Sequence, residues 1–189
     1  YPADTNLAAM YKTVTTVNRK TYIGNLKIGD RTYPDRMLKA PADKFDTFPS
    51  DGTHYIDVAT ADGDSIVKLE SFGDTILQFK KRNMYTITVS DEGEELEGTY
   101  IGGGVLSPSQ VTKADVGVIW VNNNGLYLYD GEKTKHVSKD RFARDTWNIG
   151  EDETIPIIIG YDESSGKIII NTLNTSGKNH GGYIYDITT

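Results

Sequence analysis

The sequence contains no cysteine, only three histidines, and no long apolar run. Without cysteine the chain forms no disulfide and offers no thiolate to a metal, which leaves its compartment open. No apolar run approaches the roughly 18 residues that a membrane-spanning helix needs, so we expect no membrane span. His54, His136 and His180 stand far apart, without the close spacing of metal ligands. We therefore expect neither a metal nor any other cofactor.

What the chain has instead are residues that form strands and turns. Its 189 residues include 19 glycines and 12 tyrosines, and many valines, isoleucines and threonines, which favour short strands over helices. The formal net charge of −7 makes it a poor general binder of phosphate backbone, so we expect no specific nucleic-acid binding. The chain begins at Tyr1 with no signal-like segment, from which we expect a piece of a longer protein.

The strand pattern is clearest between Thr112 and Val137. Two runs of β-branched and aromatic residues, Val118–Val121 and Leu126–Tyr129, flank Asn122–Gly125, whose Asn-Gly pair suits a tight hairpin. Asp130-Gly131 then predicts a second turn into a third strand. Three consecutive antiparallel strands form a meander, which is a large part of one propeller blade.

Predicted hairpin tips recur at a fixed distance along the chain. They fall at Asn83, Asn124 and Ser165, 41 residues apart, and each has an apolar strand on either side. A period of about 40 residues with four strands per unit is typical of β-propellers. We therefore predict an all-β protein, a β-propeller of four-stranded antiparallel blades with about four blades present, as a fragment of a larger propeller. The alternative is a β-sandwich or barrel in which the spacing is accidental.

The predicted blades follow one another in a single domain, residues 1–189. Their approximate ranges are 13–48, 55–100, 109–140 and 147–189, and Tyr55–Ala59 opens the second unit. The only helix predicted in the second half is short and covers Ser138–Trp147.

Few residues have the spacing that catalysis requires. The acidic residues lie mostly in turns, and none form the paired acid and nucleophile of a glycosidase. Asp62-Gly63-Asp64 resembles a fragment of a calcium loop but lacks the rest of the ligand series, which favours an ordinary turn. Nucleophile elbows, phosphate-binding glycine loops and zinc motifs are missing. We therefore predict no catalytic residues and no enzyme.

Two places are candidate surface contacts. Lys80, Lys81 and Arg82 form a small basic group at a predicted hairpin tip. This group either contacts a phosphate or an acidic partner or merely keeps the tip soluble. Trp147 lies in a connecting segment, where it either stacks on a sugar or packs between blades.

Between residues 31 and 89 a series of short segments occurs in a characteristic order. They are Asp35–Leu38, Phe45–Pro49, Ile56–Ala59, Ser65–Leu69 and Thr75–Lys80, ahead of a strand over Met84–Val89. This order resembles the propeller region of bacteriophage tail nozzle (tail tubular) proteins and related virion proteins. The later stretch 117–131 is similar to the blade hairpin of such proteins.

The resemblance implies a non-enzymatic structural protein of the virion, in a bacteriophage tail. Its propeller would be part of the tail wall or a docking or host-contact surface. The partners implied are other virion or tail proteins, further copies of the protein itself, and a host-surface glycan. Two alternatives remain open. One is an extracellular, secreted propeller that binds or hydrolyses glycans, and the other is a generic protein-interaction propeller.

Overall fold

The computed structural model describes residues 9–58, 60, 62–139, 147, 156–173 and 179–187. These residues form fifteen strands in four antiparallel sheets, with two single-turn 3₁₀ helices, Gly52–His54 and Pro108–Gln110. The predicted all-β fold of propeller-type antiparallel blades is confirmed. The chain divides into two compact units, residues 1–104 and 105–189. In the part of the chain that is described, no helix is long and apolar enough to cross a bilayer.

The first unit contains two four-stranded sheets, each an up-and-down meander. The first sheet consists, in spatial order, of β1 (Ala9–Val17), β2 (Lys20–Ile28), β3 (Arg31–Lys39) and β4 (Tyr55–Asp57). The second sheet consists of β5 (Ile66–Phe72), β6 (Thr75–Lys80), β7 (Asn83–Val89) and β8 (Glu94–Ile101). The first strands of the two sheets, β1 and β5, lie against each other.

Alternation of side chains along the strands gives each of these sheets two apolar faces. Val17, Tyr22 and Met37 of the first sheet share a buried core with Ile76 and Ile87 of the second. The opposite face of the first sheet buries Ile23, Leu26 and Leu38, and that of the second buries Leu77, Phe79 and Met84. Over the central strands β2, β6 and β7 both faces are therefore covered, whereas the outer strands β1 and β8 are largely exposed.

A glycine allows the two sheets of the first unit to approach closely. Gly24 of β2 lies where a Cβ atom would be 3.1 Å from Leu69 Cδ1 and 3.4 Å from two atoms of Ile66. Beside it, Asn25 adopts a positive φ of 57° at an irregularity between β2 and β3. The Asn25 side-chain amide donates a 2.8 Å hydrogen bond to the carbonyl of Ile66. The irregularity thus links the sheets by a hydrogen bond as well as by apolar contact.

The second unit repeats the arrangement with a third and a fourth sheet. The third consists of β9 (Val111–Ala114), β10 (Gly117–Asn122), β11 (Gly125–Tyr129) and β12 (Thr134–His136). The fourth consists of β13 (Ile157–Asp162), β14 (Lys167–Leu173) and β15 (Asn179–Asp186). Ile119, Val121, Leu126 and Leu128 of the third sheet share a core with four isoleucines of the fourth, Ile157, Ile159, Ile168 and Ile170.

The meander predicted between Thr112 and Val137 is confirmed. β10 and β11 pair from Val118↔Tyr129 to Asn122↔Gly125 around the Asn-Asn turn, and β12 pairs with β11. On one face the rings of Trp120 and Tyr127 stack at 5.3 Å, and Tyr127 stacks in turn on His136 at 4.6 Å. The aromatic residues therefore tie three strands together through cross-strand contacts.

The structure corrects the predicted start of the second unit. Tyr55–Asp57 forms the last strand of the first sheet, in which Arg36 pairs with Asp57 and Leu38 with Tyr55. The strand returns to the edge of its own sheet after the long connection that follows β3. The second sheet consequently begins only at Ile66.

The predicted equivalence of the three hairpin tips is also wrong in part. Asn83, the first residue of β7, and Asn124, in the turn between β10 and β11, both belong to the hairpin that joins the second and third strands of a sheet, so this repeat is structural. Ser165 instead lies between β13 and β14. β13 is the first strand of its sheet. It lies against β9, the first strand of the third sheet, as β5 lies against β1 in the first unit. Of the predicted helix Ser138–Trp147, residues 140–146 lie outside the described residues.

One core position of the first unit carries a polar side chain that is poorly matched to its surroundings. Gln78 on β6 is fully buried between its cross-strand neighbours Leu69 and Tyr85. Neither its amide oxygen nor its amide nitrogen has a hydrogen-bond partner among the described residues. Burial of an unpaired amide costs about 1–3 kcal/mol, so this residue lowers the stability of the unit.

We expect Gln78→Leu to raise the free energy of unfolding by about 1–2 kcal/mol, because it removes the unpaired amide at similar volume. The measurement is urea unfolding followed by circular dichroism. Gln110→Leu is the matched control, since the Gln110 amide bonds to the backbone of Leu106, Ser107 and Val121. That variant should be less stable than the wild type. A Gln78→Leu protein that is no more stable than the wild type would contradict the assignment.

Candidate functional site

The predicted basic group lies at the β6–β7 turn, directly opposite the turn Asp62–Asp64. We call Asp62, Asp64, Lys80 and Arg82 the hairpin-tip cluster. The short link Lys81-Arg82 between β6 and β7 brings these basic residues over the two acidic ones. The cluster therefore holds both signs of charge within one small part of the first unit.

Lys80 is not available as a surface contact, so this part of the prediction is wrong. Its side chain is fully buried, and its Nζ atom lies 3.1 and 3.0 Å from the two carboxylate oxygens of Asp62. The ammonium group also lies 5.7 Å from the centroid of the Tyr85 ring. Burial alone would raise the pKa of Asp62, but the hydrogen bonds from Lys80 and from the Asp64 N–H lower it overall. The buried cation is thus satisfied inside the protein.

Asp64 organises the backbone of the same turn. Its carboxylate, which is almost completely buried, accepts hydrogen bonds from the backbone N–H groups of Ser65 (2.8 Å), Lys81 (3.2 Å) and Arg82 (2.9 Å). Gly104 supports the turn from the other side, where its N–H donates to the Arg82 carbonyl and a Cβ would lie 2.4 Å from the carbonyl oxygen of Lys80. The tip is therefore held by backbone contacts on two sides.

Only the outer part of the predicted basic group faces solvent. Lys81 is exposed, and 68% of the Arg82 side chain is accessible, although its guanidinium donates a 3.0 Å hydrogen bond to the Asp62 carbonyl. A shallow depression of about 560 Å³ lies next to Lys81, lined also by Pro34, Asp35, Gly63, Asp64 and Ser65. Lys81 and Arg82 remain candidate contacts, on a turn whose acidic residues have a structural role.

Trp147 is likewise in the interior, and stacking on a sugar is excluded by its burial. Its indole N–H donates a 2.9 Å hydrogen bond to the Asn122 carbonyl, and its ring lies 5.6 Å from that of Tyr183. It belongs to the core shared by the third and fourth sheets. The alternative of packing between blades is therefore the one observed.

A buried ionic contact at the seam between the first and second sheets was not predicted. Glu94 begins β8 with its carboxylate buried. It accepts hydrogen bonds from the Tyr22 hydroxyl (2.7 Å) and from Lys39 Nζ (2.6 Å). Burial, together with the hydrogen bond to Glu94 and its charge, raises the pKa of Tyr22 far above the usual value. Nothing local in the sequence distinguishes Glu94 from its exposed acidic neighbours.

A second unpredicted cluster lies at the edge of the first sheet. The guanidinium carbon of Arg36 lies 4.9 Å from the Tyr33 ring centroid and 4.8 Å from that of Tyr55. Two nitrogens of Arg36 donate 2.7 Å hydrogen bonds to the two carboxylate oxygens of Asp57. These four residues, which we call the β3–β4 patch, are half-buried or exposed. The sequence did not reveal the patch because Tyr55 and Asp57 were assigned to a different sheet.

The described residues contain no group of three or more histidine, aspartate or glutamate side chains placed to hold a metal ion. The ionic groups that do cluster are already paired with one another. These ion pairs stabilise the positions of the strands. In the β3–β4 patch, the Arg36 guanidinium also lies beside two half-buried tyrosine rings.

Comparison with known proteins shows the fold alone. No protein-family model matches the sequence, and no curated protein matches it. Among solved structures, a functionally unknown protein from Desulfotomaculum acetoxidans DSM 771 aligns with a TM-score of 0.52 at 13% identity. The alignment covers 93% of this chain and 56% of that one, so this chain spans just over half its length. Kluyvelomyces marxianus Hsv2 aligns with a TM-score of 0.45 at 10% identity, over 94% of this chain and 65% of that one.

We expect Glu94→Ala to lower the free energy of unfolding by about 2–3 kcal/mol, because the Tyr22 hydroxyl and the Lys39 ammonium lose their partner at a buried seam. Chemical denaturation monitored by circular dichroism measures the loss. Glu95→Ala is the control, since Glu95 on the same strand is exposed and its removal should change stability by less than about 0.5 kcal/mol. Equal losses in the free energy of unfolding for the two substitutions would show that Glu94 does not stabilise the contact between the first and second sheets.

The raised pKa of Tyr22 predicts a loss of stability in alkali. A folded-state pKa above the unfolded value of about 10 means that the unfolded chain releases this proton first. The stabilisation that comes from the raised pKa of Tyr22 is therefore fully present below about pH 10. Above that pH the free energy of unfolding falls by about 1.4 kcal/mol per pH unit. Unfolding curves of wild type and Tyr22→Phe measured from neutral to alkaline pH test this. The variant should lose stability less steeply, and parallel curves would show that Tyr22 is not the group responsible.

Proposed function

We propose that this chain is a non-enzymatic structural component of a bacteriophage tail, in which its propeller blades form part of the tail wall or a docking surface. The tail assignment rests on the resemblance of segments 35–38, 45–49, 56–59, 65–69 and 75–80 to nozzle-type virion proteins. The observation that carries the structural role is the use made of the charged side chains. They pair with one another and in doing so connect strands and sheets.

Three ion pairs illustrate that use. Lys39–Glu94 joins the first sheet to the second, and Lys80–Asp62 fixes the β6–β7 turn to the segment before β5. Arg36–Asp57 joins the outermost strand of the first sheet to its neighbour. Buried or bidentate pairs of this kind have restricted geometry. A wall that carries mechanical load benefits from such stiffness.

The net negative charge of the chain is compatible with a channel through which DNA passes. The formal net charge is −7, and like charges reduce adhesion of the phosphate backbone. On this proposal the surface that faces the DNA is acidic and does not bind it. Partners are other tail proteins or further copies of the same protein.

The β3–β4 patch supports a docking role. Tyrosine and arginine are enriched among the residues that dominate binding energy in protein interfaces. Arg36 is held in place by Asp57 and by two rings before any partner arrives, so little side-chain freedom is lost on binding. The same observation favours, as a second candidate function, a general protein-interaction propeller. The burial of Trp147 removes one candidate sugar contact from the glycan alternative.

The proposal is tested on particles of a phage that encodes this chain. We expect antibodies raised against the 189-residue protein to label the tails of purified virions in immuno-electron microscopy, and peptides of the chain to be found by mass spectrometry of those particles. Pre-immune serum and an antibody against the capsid are the controls. Particles free of both label and peptides would rule out a virion component and leave the interaction propeller.

A further inference from the structure

We draw no further inference here: the strongest candidate, the exposed outer edge of β8 in the second sheet with its glutamates Glu95 and Glu97, carries none, because nothing in the part of the chain that the structure describes shows what pairs with this edge, and exposed charges are themselves a common means by which a strand edge avoids pairing.

Discussion

The structure depends on the packing of one β-sheet face against another. A strand places successive side chains on opposite sides, and in this chain both sides are often apolar. β6 is the clearest example, since Ile76 and Leu77 are adjacent in sequence, both fully buried, and on opposite faces. A sheet of this kind is stable only when both of its faces are packed against other parts of the protein. Within each unit, the two sheets cover one face of each other, with β1 lying against β5 and β9 against β13.

Apolar packing has little directional preference, so polar contacts at the seams specify how the sheets are placed. In the first unit the hydroxyl of Thr13 accepts a buried hydrogen bond from the N–H of Leu69, and Asn25 donates to the Ile66 carbonyl. Glu94 adds an ionic contact at the same seam. An intact buried polar contact adds modestly to the stability of the fold, whereas a buried polar group left without its partner lowers that stability by more. Such contacts therefore select one register and penalise the others.

Local patterns in the sequence predicted the fold class and most strand positions, because alternation and turn residues act over a few neighbours. The hairpins at Asn83 and Asn124 were found for this reason. The position of a strand within its sheet depends on contacts between distant segments. Ser165 was therefore matched to the wrong hairpin and Tyr55–Asp57 to the wrong sheet. The burial of Lys80 was missed for a similar reason, since its partner Asp62 lies 18 residues earlier, before the β5–β6 hairpin that ends at Lys80.

Both tryptophans of the chain, Trp120 and Trp147, lie in residues 105–189 and are buried there. Residues 1–104 contain tyrosine and phenylalanine but no tryptophan. Indole emission consequently reports on the environment of the second unit, whereas far-ultraviolet dichroism reports on the strands of both. The chain thus carries an intrinsic probe that separates the melting of one half from that of the whole, without any label.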